Sequence, residues 1–294
     1  MASWTVPNAA RNTFNHVSLP FQLLQPGSCH RMGLTAPPSR DFALFGELLK
    51  RDLAGRYRGS VGGLAWAFVQ PLFLLCVYTL AFGLIVGARW RQGGDVYEYG
   101  MFIFVGLIIY NAFSECIVRA PTLIVSQANL VKKVVFPLYI LPVVTACTAL
   151  MHAAIGFIVW LAVYAVVFGI PKASALGLPA ILLCCLPALL GISWILAAIG
   201  AFFRDLQQVA VLMSHALLFL TPVFYGLEHV PAGIRPVLLA NPLTALIQSA
   251  RGALLADGDG AFLGLLIYAV VSTVFAVLAL FAFNWMRPRF ADVV

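Results

Sequence analysis

Few residues in this 294-residue chain are placed to do chemistry. Glu115 and Arg119 lie four apart in an otherwise apolar run, a spacing that favours an ion pair along one helix over acid–base work. His152 and His215 each stand alone in apolar stretches, and an isolated imidazole there reads as a hydrogen-bonded packing group. Of the six cysteines, Cys29, Cys76, Cys116, Cys147, Cys184 and Cys185, four lie well within apolar runs with no Cys-x-x-Cys spacing and no flanking histidine, and they read as small buried apolar residues. No Gly-x-x-x-x-Gly-Lys-Ser/Thr loop occurs, and indeed no Gly-Lys pair, so the chain does not bind ATP by that route. With no metal-ligand set and no nucleophile–base pair, the expectation is a non-enzyme without cofactor or metal, whose energy source lies on another chain.

Composition explains the shortage. The chain is 62% hydrophobic and 10% charged, against about 25% charged in a soluble domain, and its mean hydropathy is +0.96. So few charges cannot cover a soluble surface, so most of the chain belongs in lipid. The apolar runs are helix-length, about 20 residues, and not the alternating segments of about 10 that build an outer-membrane barrel. A net charge of +7 would suggest nucleic acid in a soluble protein. Here the basic residues cluster at the ends of apolar runs, where they set orientation, and nucleic acid is excluded.

The expected architecture is an all-α integral membrane protein with six transmembrane helices, an N-terminal amphipathic interface helix and short re-entrant outer helices before the last span. Residues 1–39 carry no acid and no sustained period and read as a disordered tail; Met32 is a second possible start, and a transit peptide is disfavoured because no amphipathic helix is visible. Residues 40–60 form the interface helix, with Phe42, Phe45, Leu49, Leu53 and Tyr57 as its apolar stripe. Gly59, Gly62 and Gly63 then turn the chain into the bilayer. The permease-sized domain is 61–290, with spans at 64–87, 101–118, 138–168, 178–202, 209–226 and 261–285. Placing both termini on one side puts 13 of the 18 Lys and Arg residues there and leaves Arg89, Arg91, Lys172, Arg235 and Arg251 opposite, so both termini are expected in the cytoplasm.

Two connections exceed simple loops. The inner stretch 119–136 mixes an apolar face with Gln127, Asn129, Lys132 and Lys133 and fits a short surface helix that could dock a soluble partner. The outer stretch 227–260, broken by Pro231, Pro236 and Asn241-Pro242, fits short helices dipping toward the membrane. The aromatics of span one (Trp66, Phe68, Phe73, Tyr78, Phe82) and of span five (Phe219, Phe224, Tyr225) have two open readings: interfacial belts and lipid-facing packing, or a conduit whose ring faces suit sugars. Gly83 and Gly87 form a GxxxG pair.

Arg51-Asp52-Leu-Ala-Gly-Arg56-Tyr57-Arg58-Gly59-Ser60, then Gly63-Leu-Ala-Trp66 and Gln70-Pro71-Leu72, with Thr221-Pro222-Val-Phe-Tyr225, Asn241-Pro242-Leu243 and Arg251, resemble the membrane subunits of type-2 ATP-binding-cassette exporters, in their polysaccharide-export branch. The resemblance covers about residues 41–290. It implies a multi-pass protein of the bacterial cytoplasmic membrane that pairs with a second copy of itself and with separate ATPase subunits carrying the ATP and magnesium. Its cargo would be a lipid-linked polysaccharide such as O-antigen, capsule or teichoic acid. It also implies a conduit along spans one and five (Trp66, Gln70, Phe73, Tyr78, Phe219, Tyr225), an ATPase contact at Lys50, Arg51, Arg56, Gln127, Asn129, Lys132 and Lys133, and an outer gate at Asn241, Pro242 and Arg251. Two other readings stand beside it: an exporter of the same architecture for small hydrophobic compounds, and a stand-alone secondary transporter or channel. Missing midplane carboxylates weigh against the last.

Overall fold

The computed structural model describes residues 38–57, 62–85, 87, 96–128, 136–170, 177–255 and 261–293, and all its regular elements are helical. Helix α1, Pro38–Tyr57, opens with a proline in its first turn and Asp41 beside the positive helix end, and closes with Arg56 near the negative end. The turn that follows uses Gly63, whose φ of 48° is left-handed and costs glycine nothing. Trp66 lies over Gly62, where a Cβ would meet its indole nitrogen at 2.6 Å.

Helix α2, Trp66–Tyr78, continues through a widened π-helical stretch, Thr79–Ile85. Helix α3, Val96–Arg119, runs on through a tight turn, Ala120–Thr122, into the short α4, Leu123–Ser126. Next come α5, Ile140–Val167, and α6, Leu178–Phe202. They are followed by α7, Leu206–Leu220, and the outer helices α8, Arg235–Ala240, and α9, Pro242–Leu255. Last are α10, Ala261–Met286, and α11, Phe290–Val293.

Among the described residues, five helical stretches are long and apolar enough to cross a membrane: 66–85, 96–126, 140–167, 179–202 and 264–289. The chain is therefore a multi-pass helical membrane protein. The fifth expected span, 209–226, is shorter than its apolar composition suggested. Helix α7 stops at Leu220 after 15 residues, about 22 Å of a core about 30 Å thick. Pro222 is the cause: its ring disfavours the helical conformation of Thr221, which is extended at φ −111°, ψ 139°.

Helix α3 is the centre. Of its most apolar stretch 72% is buried, against 11% for 66–85; it packs against α2, α5, α6, α7 and α9. Met101–Tyr110 lie inside almost without a break. Such all-round burial explains why it carries no amphipathic period. Helices α6 and α10 form the broadest helix pair, and Gly191 gives way there to the Phe275 ring. At Gly200 the α6 backbone passes so close to Pro121 that no Cβ fits, which pins the turn after α3 to the end of α6.

Two further expectations change. On α1 the buried stripe runs through Leu44, Phe45, Leu48 and Leu49 against Ile140 and Val144, while Phe42 is 76% exposed. The stripe is displaced because Asp52 and Arg56 share the inward face. The GxxxG pair also divides: Gly83 is buried against Val96, whereas Gly87 lies beyond the helix at φ 70°, in a bend and not in a helix crossing.

We expect Gly200→Ala to destabilise the protein by about 2 kcal/mol, since overpacking against backbone cannot relax by a rotamer change. Gly264→Ala, which meets nothing within 4 Å, should be neutral or slightly stabilising. Thermal unfolding in detergent compares the two.

Candidate functional site

Two polar junctions, one at each end of α3, organise the molecule. The first joins α1, α3 and α5. Glu115 Oε1 accepts Arg56 Nη2 at 2.5 Å and Arg119 Nη1 at 2.9 Å, and Glu115 Oε2 lies 3.0 Å from His152 Nδ1. That ring nitrogen is also 3.1 Å from Arg56 Nη1. Asp52 Oδ1 accepts Arg119 Nη2 at 2.6 Å and Asp52 Oδ2 accepts the Thr148 hydroxyl at 2.9 Å. The pattern is reciprocal: each helix presents an acid and, four residues on, an arginine, and each acid takes the other helix's arginine. Only 12% of the Glu115 side chain is exposed, so its charge is sustained by partners and not by water.

Beside this junction the Tyr139 hydroxyl donates to Asp41 Oδ2 at 2.7 Å. That bond, with burial added, holds the phenol above its ordinary pKa. Trp194 Nε1 donates to the Tyr139 carbonyl at 3.1 Å and Arg287 to the Phe136 carbonyl at 3.1 Å. Between α1 and the adjoining ends of α3, α4 and α5 lies an open cavity of about 480 Å³, lined by Arg51, Asp52, Arg56, Arg119 and Gln127 over a floor of Leu48, Leu141 and Val144.

Of the residues expected at an ATPase contact, Arg51, Arg56 and Gln127 meet at this cavity. Lys50 is on the open face of α1, paired with Glu47 at 3.3 Å. Arg56 turns inward to Glu115 and His152. Asn129, Lys132 and Lys133 lie outside the described residues. Asp52, His152 and Thr148 were missed, although one signal was available: two acid-to-arginine steps of four residues, Asp52/Arg56 and Glu115/Arg119, in a chain almost without interior charge.

The second junction forms where α7 breaks. Non-helical backbone in an apolar setting leaves carbonyls that must find donors. Asn241 Nδ2 donates to the Leu220 carbonyl at 3.1 Å and to Thr221 Oγ1 at 2.9 Å, while its own Oδ1 caps α9 at Leu243 N, 3.0 Å. Arg251 is 3% exposed and donates to the carbonyls of Pro222 and Val223 at 2.6 Å each and of Phe102 at 3.2 Å, with its guanidinium 3.4 Å above the Phe102 ring. The Tyr99 hydroxyl donates to the Phe224 carbonyl at 2.6 Å, and Tyr225 to that of Phe219 at 2.8 Å. Gly106 leaves room for this arginine, since a Cβ there would stand 2.9 Å from its Nη2. The three expected outer-gate residues thus meet at one place, as cap and donor for a broken helix.

The aromatic set separates into two. Tyr78, Phe82 and Phe224 stack at centroid distances of 4.9–6.2 Å, with Phe219 6.2 Å from Phe224. This joins the widened turn after α2 to the break after α7 and draws in Tyr225. Trp66, Gln70 and Phe73 instead form an exposed stripe along α2. Ser214 faces inward, bonded to Tyr110 and to Ser114 at 2.6 Å, and acts as polar glue between α3 and α7. His215 is exposed on the opposite face of α7.

The ABC-2 type transporter family matches residues 43–255. The O-antigen export system permease protein RfbA of Myxococcus xanthus is 30% identical over 254 residues, 84% of this chain and 94% of that protein. RfbA of Klebsiella pneumoniae is 26% identical over 255 residues, 86% and 95% of the two chains. The polysialic acid transport protein KpsM of Escherichia coli is 26% identical over 246 residues, 80% and 90%.

Arg251→Met should cost about 2 kcal/mol or more, because buried carbonyls lose their donors, and Arg251→Lys should restore little, since one ammonium cannot reach three oxygens in a fork. Limited trypsinolysis at the exposed Arg235 should accelerate in both variants.

Proposed function

We propose, from the premise that this chain belongs to the ABC-2 type transporter family, that it is the permease subunit of an ATP-driven exporter of a lipid-linked polysaccharide of the O-antigen or capsular kind. The observation that carries this reading is the match to O-antigen export permeases over 84–86% of the chain. ATP and its magnesium are held by a separate subunit. The chain lies in the bacterial cytoplasmic membrane with both termini inside and crosses it six times. The remaining crossing, fifth in chain order, is α7 completed by the non-helical residues 221–226, where the second junction satisfies the carbonyls of Pro222, Val223 and Phe224.

Work done by the partner enters at the basic end. The cavity beside Arg51 and Gln127 and the exposed face of α1 are the contact for the ATPase, to which Lys132 and Lys133 are assigned by their charge alone. A sugar polymer needs water, hydrogen-bonding groups and flat rings that bind weakly enough to let each unit go. Since α3 is packed on every side, the path runs along the outer faces of α2 and α7. There Trp66, Gln70, Phe73 and Phe219 are exposed, and a second copy of the chain closes it.

Two measurements test this. Proteoliposomes holding the chain with its partner ATPase should translocate lipid-linked polysaccharide on ATP addition, and the chain alone should neither hydrolyse ATP nor translocate; nucleotide-free translocation by the chain alone would overturn the reading. Arg51→Glu should weaken ATPase binding by about tenfold with normal insertion, the size expected of an exposed charge at a docking surface. Trp66→Ala and Phe73→Ala should lower surface polysaccharide while leaving the partner's ATPase rate near normal.

A further inference from the structure

The two junctions lie at opposite ends of one rigid element. Helix α3 has 24 residues, about 36 Å at 1.5 Å per residue. Near its end sit Glu115 and Arg119, bonded to α1; in its first turns sit Tyr99 and Phe102, bonded to the broken segment after α7 and to Arg251. Between them Ile103–Tyr110, Ala112 and Phe113 are buried, with Asn111 exposed, so the helix cannot bend far without opening voids.

We infer that α3 is the transmission element of the transporter. Glu115 and Asp52 are its input positioning residues, and Tyr99 its output, so that a displacement of α1 at the basic end shifts the break after α7 at the other. The inference rests on the reading above for what displaces α1. Three observations carry it. The apolar stripe of α1, Leu44, Phe45, Leu48 and Leu49, packs toward Ile140 and Val144 of α5, in a cluster that holds no residue of α3. The hold of α1 on α3 is therefore chiefly the two carboxylates. Next, Arg56 engages both oxygens of Glu115, and Arg119 bridges Glu115 to Asp52. Forked contacts of this kind resist rotation as well as sliding. Finally, at the far end α3 touches the carbonyl of Phe224, whose ring stacks with Tyr78 and Phe82. Motion of α3 thus reaches the aromatic cluster between the two helices proposed to line the conduit.

The test uses the assembled permease–ATPase complex in lipid, in a background without native cysteines. Spin labels at Val237→Cys on α8 and Leu266→Cys on α10, both exposed, report the outer segment by their distance without nucleotide and with a non-hydrolysable ATP analogue. The wild-type background should show a nucleotide-dependent change in that distance. Glu115→Gln should suppress it and lower polysaccharide exported per ATP hydrolysed by about tenfold, a coupling loss of ordinary allosteric size. Glu115→Asp should recover most of both, which a packing role would not explain. Tyr99→Phe removes only the hydroxyl that meets the Phe224 carbonyl; it should leave ATPase binding intact and still blunt the distance change, so the inference stays testable if Glu115→Gln does not fold. An unchanged response in Glu115→Gln or in Tyr99→Phe, or a wild-type complex whose outer distance ignores nucleotide, would overturn it. Absence of polysaccharide transport in a complex that still shows the distance change would instead count against the assigned cargo.

Discussion

In a chain this apolar, each polar group that leaves water must find a partner inside the protein, and the structure is arranged around the few that do. A carboxylate as enclosed as Glu115 would be expelled or neutralised if it stood alone. It is held by two arginines and a histidine drawn from three helices. Broken backbone in an apolar setting would be as costly, yet the carbonyls of Leu220, Pro222, Val223 and Phe224 all find donors from α3 or α9 or the residue between α8 and α9. The same constraint produces both junctions, and it explains why charges so scarce in the sequence are so heavily bonded in the fold.

Much of this was legible beforehand. Runs of apolar residues gave the helices, Gly62-Gly63 marked the turn into the bilayer, and the Thr221-Pro222, Asn241-Pro242 and Arg251 motifs pointed to one region that the structure does assemble. Helix α1 was readable as a helix, but its stripe was misplaced. A search for apolar period alone ranks Phe42 above Asp52, whereas the fold turns Asp52 inward, half-buried, where Arg119 and Thr148 meet it. The same limitation hid His152, which is isolated along the chain and central in space.

The α7 break shows a different shortfall. Hydropathy counts through residues 209–226 see one span, because proline and threonine subtract little from an apolar average. The chain's local rule is stronger: Thr221 is held extended by Pro222, and the helix ends. Which donors would then satisfy the carbonyls of Leu220, Pro222, Val223 and Phe224 depends on contacts 21 to 125 residues away in sequence, and spacing carries no information at that range. Tyr99 was invisible for this reason, lying beside Glu98 at the start of a long apolar run.

The account stands most directly on the pairing of α1 with α3, and a double-mutant cycle on Arg56 and Glu115 measures it. Arg56→Ala, Glu115→Ala and the double variant are compared with the parent by reversible unfolding in detergent at neutral pH. An enclosed Glu115 directly bonded to a half-exposed Arg56 should show a coupling energy of about 1–3 kcal/mol, the double variant losing less than the sum of the singles. Additive losses, with a coupling within about 0.3 kcal/mol of zero, would mean that the pair is incidental and that α1 is held by something else.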